Sequence, residues 1–247
     1  MNPVAFEIFG ISIRWYGILI GCGMLIGAYI AMKEAKRQGF EEETLLDILI
    51  IALPCAIIGA RLYYVLFNLN AYDTIWEALN IRSGGLAIHG GVLAAVGSFA
   101  IYSKIKKMEF WKWLDIAAPS LILGQAIGRW GNFINQEAHG GPTDLPWGIV
   151  VDGMKVHPTF LYESLANFII FFILFKMRKT KKFDGQQIAW YMILYSIIRF
   201  FIEGLRTDSL YLGEFRVAQL ISLVLIGLGI LLLYIRGKKK DEFIPVE

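Results

Sequence analysis

The sequence has 247 residues, of which 56% are hydrophobic and only 18% are charged, and its formal net charge is +3. Because ordinary globular domains are about 45–50% apolar, this composition excludes a typical water-soluble protein and predicts a membrane protein. The small net charge says nothing by itself about nucleic acid, and we expect no nucleic-acid partner.

Apolar stretches long enough to cross a bilayer recur along the whole chain. We expect about seven transmembrane helices, at residues 16–32, 45–67, 86–102, 113–127, 159–175, 188–202 and 217–235. The fourth stretch is short for a span, so we expect it to tilt or to be flanked by re-entrant backbone. The predicted fold class is an all-α polytopic membrane protein, in which residues 1–247 form a single integral membrane domain.

A small lobe outside the membrane is predicted at about residues 131–158, between spans four and five, where the chain is rich in Gly and Pro. Most Lys and Arg residues lie after spans one, three and five and in a tail at about residues 236–247. Because positive charge stays in the cytoplasm, we expect the tail to be cytoplasmic, and the N-terminus and the lobe to face outward.

The segment Gly128–Gly140, GRWGNFINQEAHG, is the most unusual stretch of the chain. It places Arg129, Asn132 and Glu137 among glycines, directly after an apolar run. A cation at that depth needs a partner or an anionic ligand, because an unpaired buried charge is costly. The glycines allow the backbone to approach whatever is bound.

Arginine dominates the basic residues of the predicted outward side. They are Arg14, Arg61, Arg82, Arg129, Lys155, Arg199, Arg206 and Arg216. The planar guanidinium fork fits phosphate bidentately, so this bias favours a phosphate-bearing ligand at the outer face. The alternative is a scattered set of arginines that reach the membrane surface independently.

Three further segments carry polar groups at the ends of predicted spans. His89 stands between two Gly pairs, and histidine readily takes a proton near neutral pH. Arg199, Glu203 and Arg206 share one helix face through i, i+4 and i, i+3 spacing, which also suits an internal ion-pair ladder. Glu163 lies in an apolar span and therefore needs a partner.

The residues alone leave two functional classes open: an enzyme that acts on a phosphate-bearing ligand, and a lipid or anion transporter with an outward-facing, Arg-lined phosphate site. Transporters often contain paired repeats, and the sequence shows none. A structural or chaperone-like membrane subunit leaves the cluster of Arg, His, Asn and Glu unexplained. Cys22 and Cys55 fall inside spans, and the sequence contains neither a disulfide framework nor a metal-ligand cluster.

Taken in order, these motifs resemble the signature of the prolipoprotein diacylglyceryl transferase family. The central segment Gly128–Gly140 is the specific element, and the segments around His89, Glu163 and Arg199 match the other blocks of the family. The resemblance runs from about Trp15 to Arg206, although Phe160 stands where many members have Gln.

The resemblance implies transfer of the sn-1,2-diacylglyceryl group from phosphatidylglycerol to the lipobox cysteine thiol of prolipoproteins. A thioether forms and glycerol 1-phosphate leaves, as the first step of lipoprotein maturation. No cofactor and no metal are implied. The implied partners are phosphatidylglycerol, prolipoprotein signal peptides and membrane lipids, and the implied location is the bacterial plasma membrane.

The resemblance also implies roles for individual residues. The implied catalytic residues are His89, Arg129 and Arg199. The implied substrate-binding residues are Arg129, Asn132, Glu137, Gly140, Tyr16, Glu203 and Arg206. From its position alone, at the end of the first span, Tyr16 is equally an ordinary interfacial anchor.

Overall fold

The computed structural model describes residues 2–81 and 84–241. In this part of the chain there are eight α-helices: α1 (Trp15–Arg37), α2 (Glu42–Leu66), α3 (Ile75–Leu79), α4 (Ile88–Ile105), α5 (Phe110–Asn135), α6 (Thr159–Met177), α7 (Gln186–Glu203) and α8 (Val217–Asp241). The predicted helical class is confirmed. Arg82 and the last six residues of the predicted tail lie outside the described residues.

Three small antiparallel hairpins, which the sequence did not predict, accompany the helices. They are formed by β1 (Val4–Ile8) with β2 (Ile11–Arg14), β3 (Ile149–Val151) with β4 (Met154–Val156), and β5 (Tyr211–Leu212) with β6 (Phe215–Arg216). The second hairpin lies within the predicted lobe. Each is only two to five residues per strand, too short to give a recognisable alternating pattern in the sequence.

Among the described residues, five helices are long and apolar enough to cross a membrane, and the chain is therefore a membrane protein. They are Trp15–Arg37, Glu42–Leu66, Ile88–Ile105, Thr159–Met177 and Val217–Lys238. The other two long helices, α5 and α7, do not belong to this set. These two helices supply Arg129, Arg199 and Glu203 of the site described below.

The fourth predicted span, residues 113–127, lies within a longer helix than the apolar run suggested. α5 has 26 residues and continues past Ile127 to Asn135. The first part of the central segment is therefore helical, and the helix ends where Gln136 and Ala138 adopt left-handed backbone angles, with φ of 55° and 56°. Left-handed residues are a common way to terminate a helix.

The chain divides into two compact units, residues 1–34 with 111–247 and residues 35–110. In the larger unit, α5, α6 and α7 bury a shared apolar core. Its buried members are Ala118, Ile122, Leu123, Ile170, Phe171, Leu174 and Ile188. α8 packs along α7 at Gly229, where a Cβ would lie 2.7 Å from Cγ1 of Ile193.

Asp115 of α5 caps the N-terminus of α7. Its fully buried carboxylate accepts backbone N–H groups from Gly185 at 2.9 Å, Gln187 at 2.9 Å and Ile188 at 3.0 Å, and pairs with Lys181 at 3.2 Å. The first N–H groups of a helix have no partner within it, so a neighbouring helix supplies one here. This contact joins α5 to α7 at one end of the core.

In the smaller unit, α2 and α4 pack through small residues. A Cβ on Gly59 would lie 2.7 Å from the carbonyl oxygen of Gly90, and a Cβ on Gly91 would lie 3.2 Å from that of Ala56. Such close approach between helix backbones is typical of small residues in membrane helices. The glycines beside His89 therefore serve helix packing.

Candidate active site

Glu163 of α6 holds two arginines of the larger unit. Its Oε1 lies 2.5 Å from Nη2 of Arg129 on α5, and its Oε2 lies 3.2 Å from Nη1 of Arg199 on α7. The Glu163 side chain is 1% exposed, whereas the two arginine side chains are 21% and 18% exposed. The carboxylate is thus buried beneath the cations, which keep access to the surface.

The network continues along the end of α7. Arg199 pairs with Glu203 at 2.7 Å, which confirms the i, i+4 contact predicted from the spacing. Arg206 lies 3.9 Å from Glu203 and binds Asp208 through two bonds, of 2.9 and 2.6 Å. Arg216, the last residue of β6, donates to the backbone carbonyl of Glu203. Four arginines therefore gather around three carboxylates.

The neighbouring arginine lowers the pKa of the Asp208 carboxyl. Partial burial by itself would raise the pKa of its carboxyl, but the hydrogen bonds and positive charge of Arg206 prevail and lower that pKa. Asp208 therefore stays ionised beside Arg206.

Glu137 orients the polar residues of the central segment. The turn after α5 folds Glu137 back, so that its Oε1 accepts from the side-chain amides of Asn132 at 2.9 Å and Asn135 at 3.2 Å. Oδ1 of Asn132 in turn accepts from Nη1 of Arg129 at 3.3 Å. A chain of hydrogen bonds therefore runs from Glu137 through Asn132 to the guanidinium of Arg129.

Two of the glycines in the central segment permit close packing. The ring of Tyr16, on α1, lies against Gly131, and any side chain at that position would overlap it. At Gly140, a Cβ would lie 2.7 Å from Cβ of His157 and 3.0 Å from the carbonyl oxygen of Leu205. Tyr16 therefore contacts the central segment. Gly140 allows the segment before α6, at His157, and the segment after α7, at Leu205, to lie close to the central segment.

His89 belongs to the smaller unit. It lies in the first turn of α4 with its side chain exposed, and its ring centroid is 6.4 Å from that of Tyr63.

Arg61 of the same unit is buried and donates to backbone carbonyls of the segment between α2 and α4. The guanidinium of Arg61 is therefore occupied by backbone carbonyls.

The sequence analysis did not assign Glu163 and Asp208 to the site. The signal for Glu163 was present, since a carboxylate in an apolar span requires a partner. Identifying that partner requires α5, α6 and α7 to be placed together. In the described part of the chain, no group of three or more His, Cys, Asp or Glu side chains is arranged to hold a metal ion.

Each guanidinium in this cluster retains hydrogen-bonding capacity. An arginine side chain has five N–H donors in a planar fork, and the contacts of Arg129 with Glu163 and Asn132 use only part of that set. The buried carboxylates hold the forks in place, and the partly exposed cations offer the remaining donors to an anion. Chemically, the arrangement can bind phosphate and stabilise negative charge that develops on it.

Comparison with known proteins agrees with this chemistry. The family model described as prolipoprotein diacylglyceryl transferase matches residues 3–235. A relative from Finegoldia magna, named phosphatidylglycerol–prolipoprotein diacylglyceryl transferase, is 56% identical over 242 residues, covering 97% of both chains. Relatives of the same name from Clostridioides difficile and Clostridium botulinum are 56% and 49% identical, over 98% of this chain and 98% and 100% of theirs. The chain therefore belongs to the prolipoprotein diacylglyceryl transferase family.

Proposed function

We propose that this protein transfers the sn-1,2-diacylglyceryl group of phosphatidylglycerol to the thiol of the lipobox cysteine of prolipoproteins. Family membership and the names of the relatives support the reaction class and both substrates. The observation that carries the proposal is the buried Glu163, which holds Arg129 and Arg199 with their outer donors accessible. The transporter alternative is not favoured, because the family and the named relatives are transferases.

The arginines act on the phosphate. The sulfur attacks the glyceryl carbon that carries the phosphate, the carbon–oxygen bond breaks, and the electron pair goes to the departing phosphate oxygen. A phosphodiester with one negative charge thereby becomes a phosphomonoester, glycerol 1-phosphate, with a second charge. Preorganised donors on Arg129 and Arg199 stabilise that growing charge, and a site shielded from water strengthens their effect.

His89 acts on the thiol in this proposal. A cysteine thiol has a pKa near 8.5, so most of it is protonated at neutral pH and a base is needed to generate the thiolate nucleophile. A neutral imidazole can take that proton and later release it to solvent. The exposed position of His89 in the first turn of α4 is compatible with access by a peptide substrate.

The other predicted residues bind and orient the substrates. Asn132 and Glu137 hold Arg129 in place through the hydrogen-bond chain described above. Glu203 holds Arg199, and Arg206 lies 3.9 Å from the same carboxylate at the end of α7. Tyr16 and Gly140 shape the surface beside the central segment.

We further propose seven membrane spans in a single integral membrane domain of the bacterial plasma membrane. At 1.5 Å per residue, α5 is about 39 Å long and α7 about 27 Å, close to or above the roughly 30 Å of a bilayer's hydrocarbon core. Asp115, Arg129 and Arg199 of these helices form ion pairs within the larger unit, which makes burial tolerable. The N-terminus and a lobe at about residues 131–158 face outward, and the tail is cytoplasmic.

One assay tests the function directly. Purified protein is incubated with phosphatidylglycerol and a lipobox peptide, and the products are analysed by mass spectrometry. We expect a thioether-linked diacylglyceryl peptide and an equal amount of glycerol 1-phosphate. A peptide in which serine replaces the lipobox cysteine is the control. Movement of phosphatidylglycerol between leaflets without any modified peptide would instead support the transporter.

A further inference from the structure

Arg61 of α2 is a buried cation whose guanidinium donates to four backbone carbonyls. The residue is only 3% exposed. Nε donates to Ala78 at 2.6 Å, Nη2 to Glu77 at 2.9 Å, and Nη1 to Gly84 at 2.5 Å and Gly85 at 3.1 Å. A guanidinium has five donors in a fixed plane, so one side chain satisfies four acceptors here.

These four carbonyls come from two separate places in the connector between α2 and α4. Glu77 and Ala78 lie at the end of α3, whose last carbonyl groups have no partner within that helix. Gly84 and Gly85 lie directly ahead of α4 and have left-handed φ angles of 84° and 73°. Arg61 therefore ties α2 both to the end of α3 and to the segment that leads into α4.

The position of Gly85 depends on this contact. A Cβ on Gly85 would lie 2.7 Å from Nη1 of Arg61 and 2.6 Å from the ring of Tyr64. Only a residue without a side chain lets the backbone approach the guanidinium this closely while keeping a positive φ.

The start of α4 is attached to α2 by two more contacts. The backbone N–H of Ala87 donates to the carbonyl oxygen of Ala60 at 3.0 Å, and Gly59 packs directly against Gly90. His89 lies between these two attachments, in the same turn. The backbone that carries His89 is therefore held on both sides by α2, with Arg61 beside the first attachment.

We propose that Arg61 is a positioning residue for His89. It binds no substrate, and it fixes the segment from residue 84 to the first turn of α4, so that the imidazole projects in the geometry that proton transfer requires. This inference rests on the proposed role of His89 as the base. A displacement of about 1 Å in a reacting group lowers rates by roughly 10²-fold, so the orientation of this turn matters to the rate.

A double-mutant cycle tests the proposal. Arg61→Lys keeps the charge but loses the planar fork, so an ammonium replaces only part of the four-carbonyl clamp. We expect kcat with a lipobox peptide to fall about 10–100-fold, and KM for phosphatidylglycerol to stay within about twofold. In a His89→Gln background, Arg61→Lys should have almost no further effect on kcat, because the group it positions is already gone.

If the fold-reductions in kcat of the two single variants multiply in the double variant, the proposal is overturned, because Arg61 then acts independently of His89. Equal loss of kcat in Arg61→Lys and in Arg37→Lys would also overturn it. Arg37 is an exposed arginine at the end of α1 in the same unit, and it provides the matched substitution.

Hydrogen exchange separates failure of this proposal from failure of the proposed function. In Arg61→Lys, the backbone amides of residues 84–91 should exchange faster, while those of the larger unit should be unchanged. Unchanged exchange at residues 84–91 would refute the clamp whatever the kinetics show. Faster exchange together with full activity of His89→Gln would refute the base role and, with it, the positioning of a base.

Discussion

Arg129 of α5 and Glu163 of α6 form a 2.5 Å ion pair across the interior of the larger unit. Glu163 is almost fully buried and also pairs with Arg199 of α7. Three helices are thereby joined at one carboxylate. Because a buried charge without a counter-charge is unfavourable, each member of this trio depends on the others for its position.

Replacement of Glu163 by Gln should destabilise the protein and weaken lipid binding. The amide keeps one acceptor oxygen but presents an N–H donor to the other arginine, so one partly exposed cation loses its buried carboxylate partner. Breaking a buried pair in this way costs about 3–5 kcal/mol. Thermal unfolding in detergent and binding of phosphatidylglycerol measure the two effects. Glu43→Gln, on an exposed carboxylate in the first turn of α2, should change neither.

Arg129→Lys should abolish most turnover with little loss of folded protein. The ammonium preserves the positive charge but cannot contact Glu163, Asn132 and a phosphate oxygen at once. Loss of one preorganised donor in comparable sites costs about 2.7–4 kcal/mol, or roughly 10²–10³-fold in kcat. The measurement is kcat on phosphatidylglycerol with a saturating lipobox peptide. Near-normal turnover in folded Arg129→Lys would rule out a role for this guanidinium in charge stabilisation.

His89→Gln should reduce the rate by roughly 10²–10⁴-fold at neutral pH if His89 is the base. The deficit should shrink as pH rises toward and above the thiol pKa, because more of the substrate cysteine ionises unaided. Affinity for phosphatidylglycerol should change little. The deciding measurement is the pH–rate profile of folded His89→Gln beside the unmodified protein. A rate ratio that is independent of pH would assign His89 a purely structural role.

Asp115→Ala should lower stability much more than Asp184→Ala. Both carboxylates lie 3.2 Å from Lys181, but only Asp115 is fully buried and caps the N-terminus of α7. Its removal leaves the backbone N–H groups of Gly185, Gln187 and Ile188 without this acceptor, at a cost of about 1–3 kcal/mol for each unsatisfied buried group, while Lys181 keeps Asp184. Thermal unfolding monitors the loss. Equal shifts in Tm for the two variants would mean that the cap contributes nothing beyond the shared ion pair.

The proposed orientation predicts opposite locations for two reporters. A reporter fused after residue 240 should be cytoplasmic, because basic residues cluster at that end of the chain. A small tag at Asp152, in the turn between β3 and β4, should react with an impermeant reagent added outside intact cells. Protection of the Asp152 tag in intact cells, with labelling only after lysis, would reverse the topology.

The sequence by itself determined the helical class and the positions of the long helices. Long apolar runs specify helices in a membrane, because only a helix satisfies every backbone group within one segment. The contact of Arg199 with Glu203 was also predictable, because residues four apart lie on one helix face. The boundary of α5 was not, since polar residues at its end remain helical once their side chains find partners.

Only the tertiary structure decided which charges meet. Glu163 was recognisable as a carboxylate that needed a partner, but its two arginines come from other helices, at sequence distances that no local pattern encodes. Arg61 and Arg129 look alike in the sequence, yet one binds backbone carbonyls and the other a buried carboxylate. The physical reason is that a guanidinium takes whichever acceptors packing brings within about 3 Å, and packing is a property of the assembled helices.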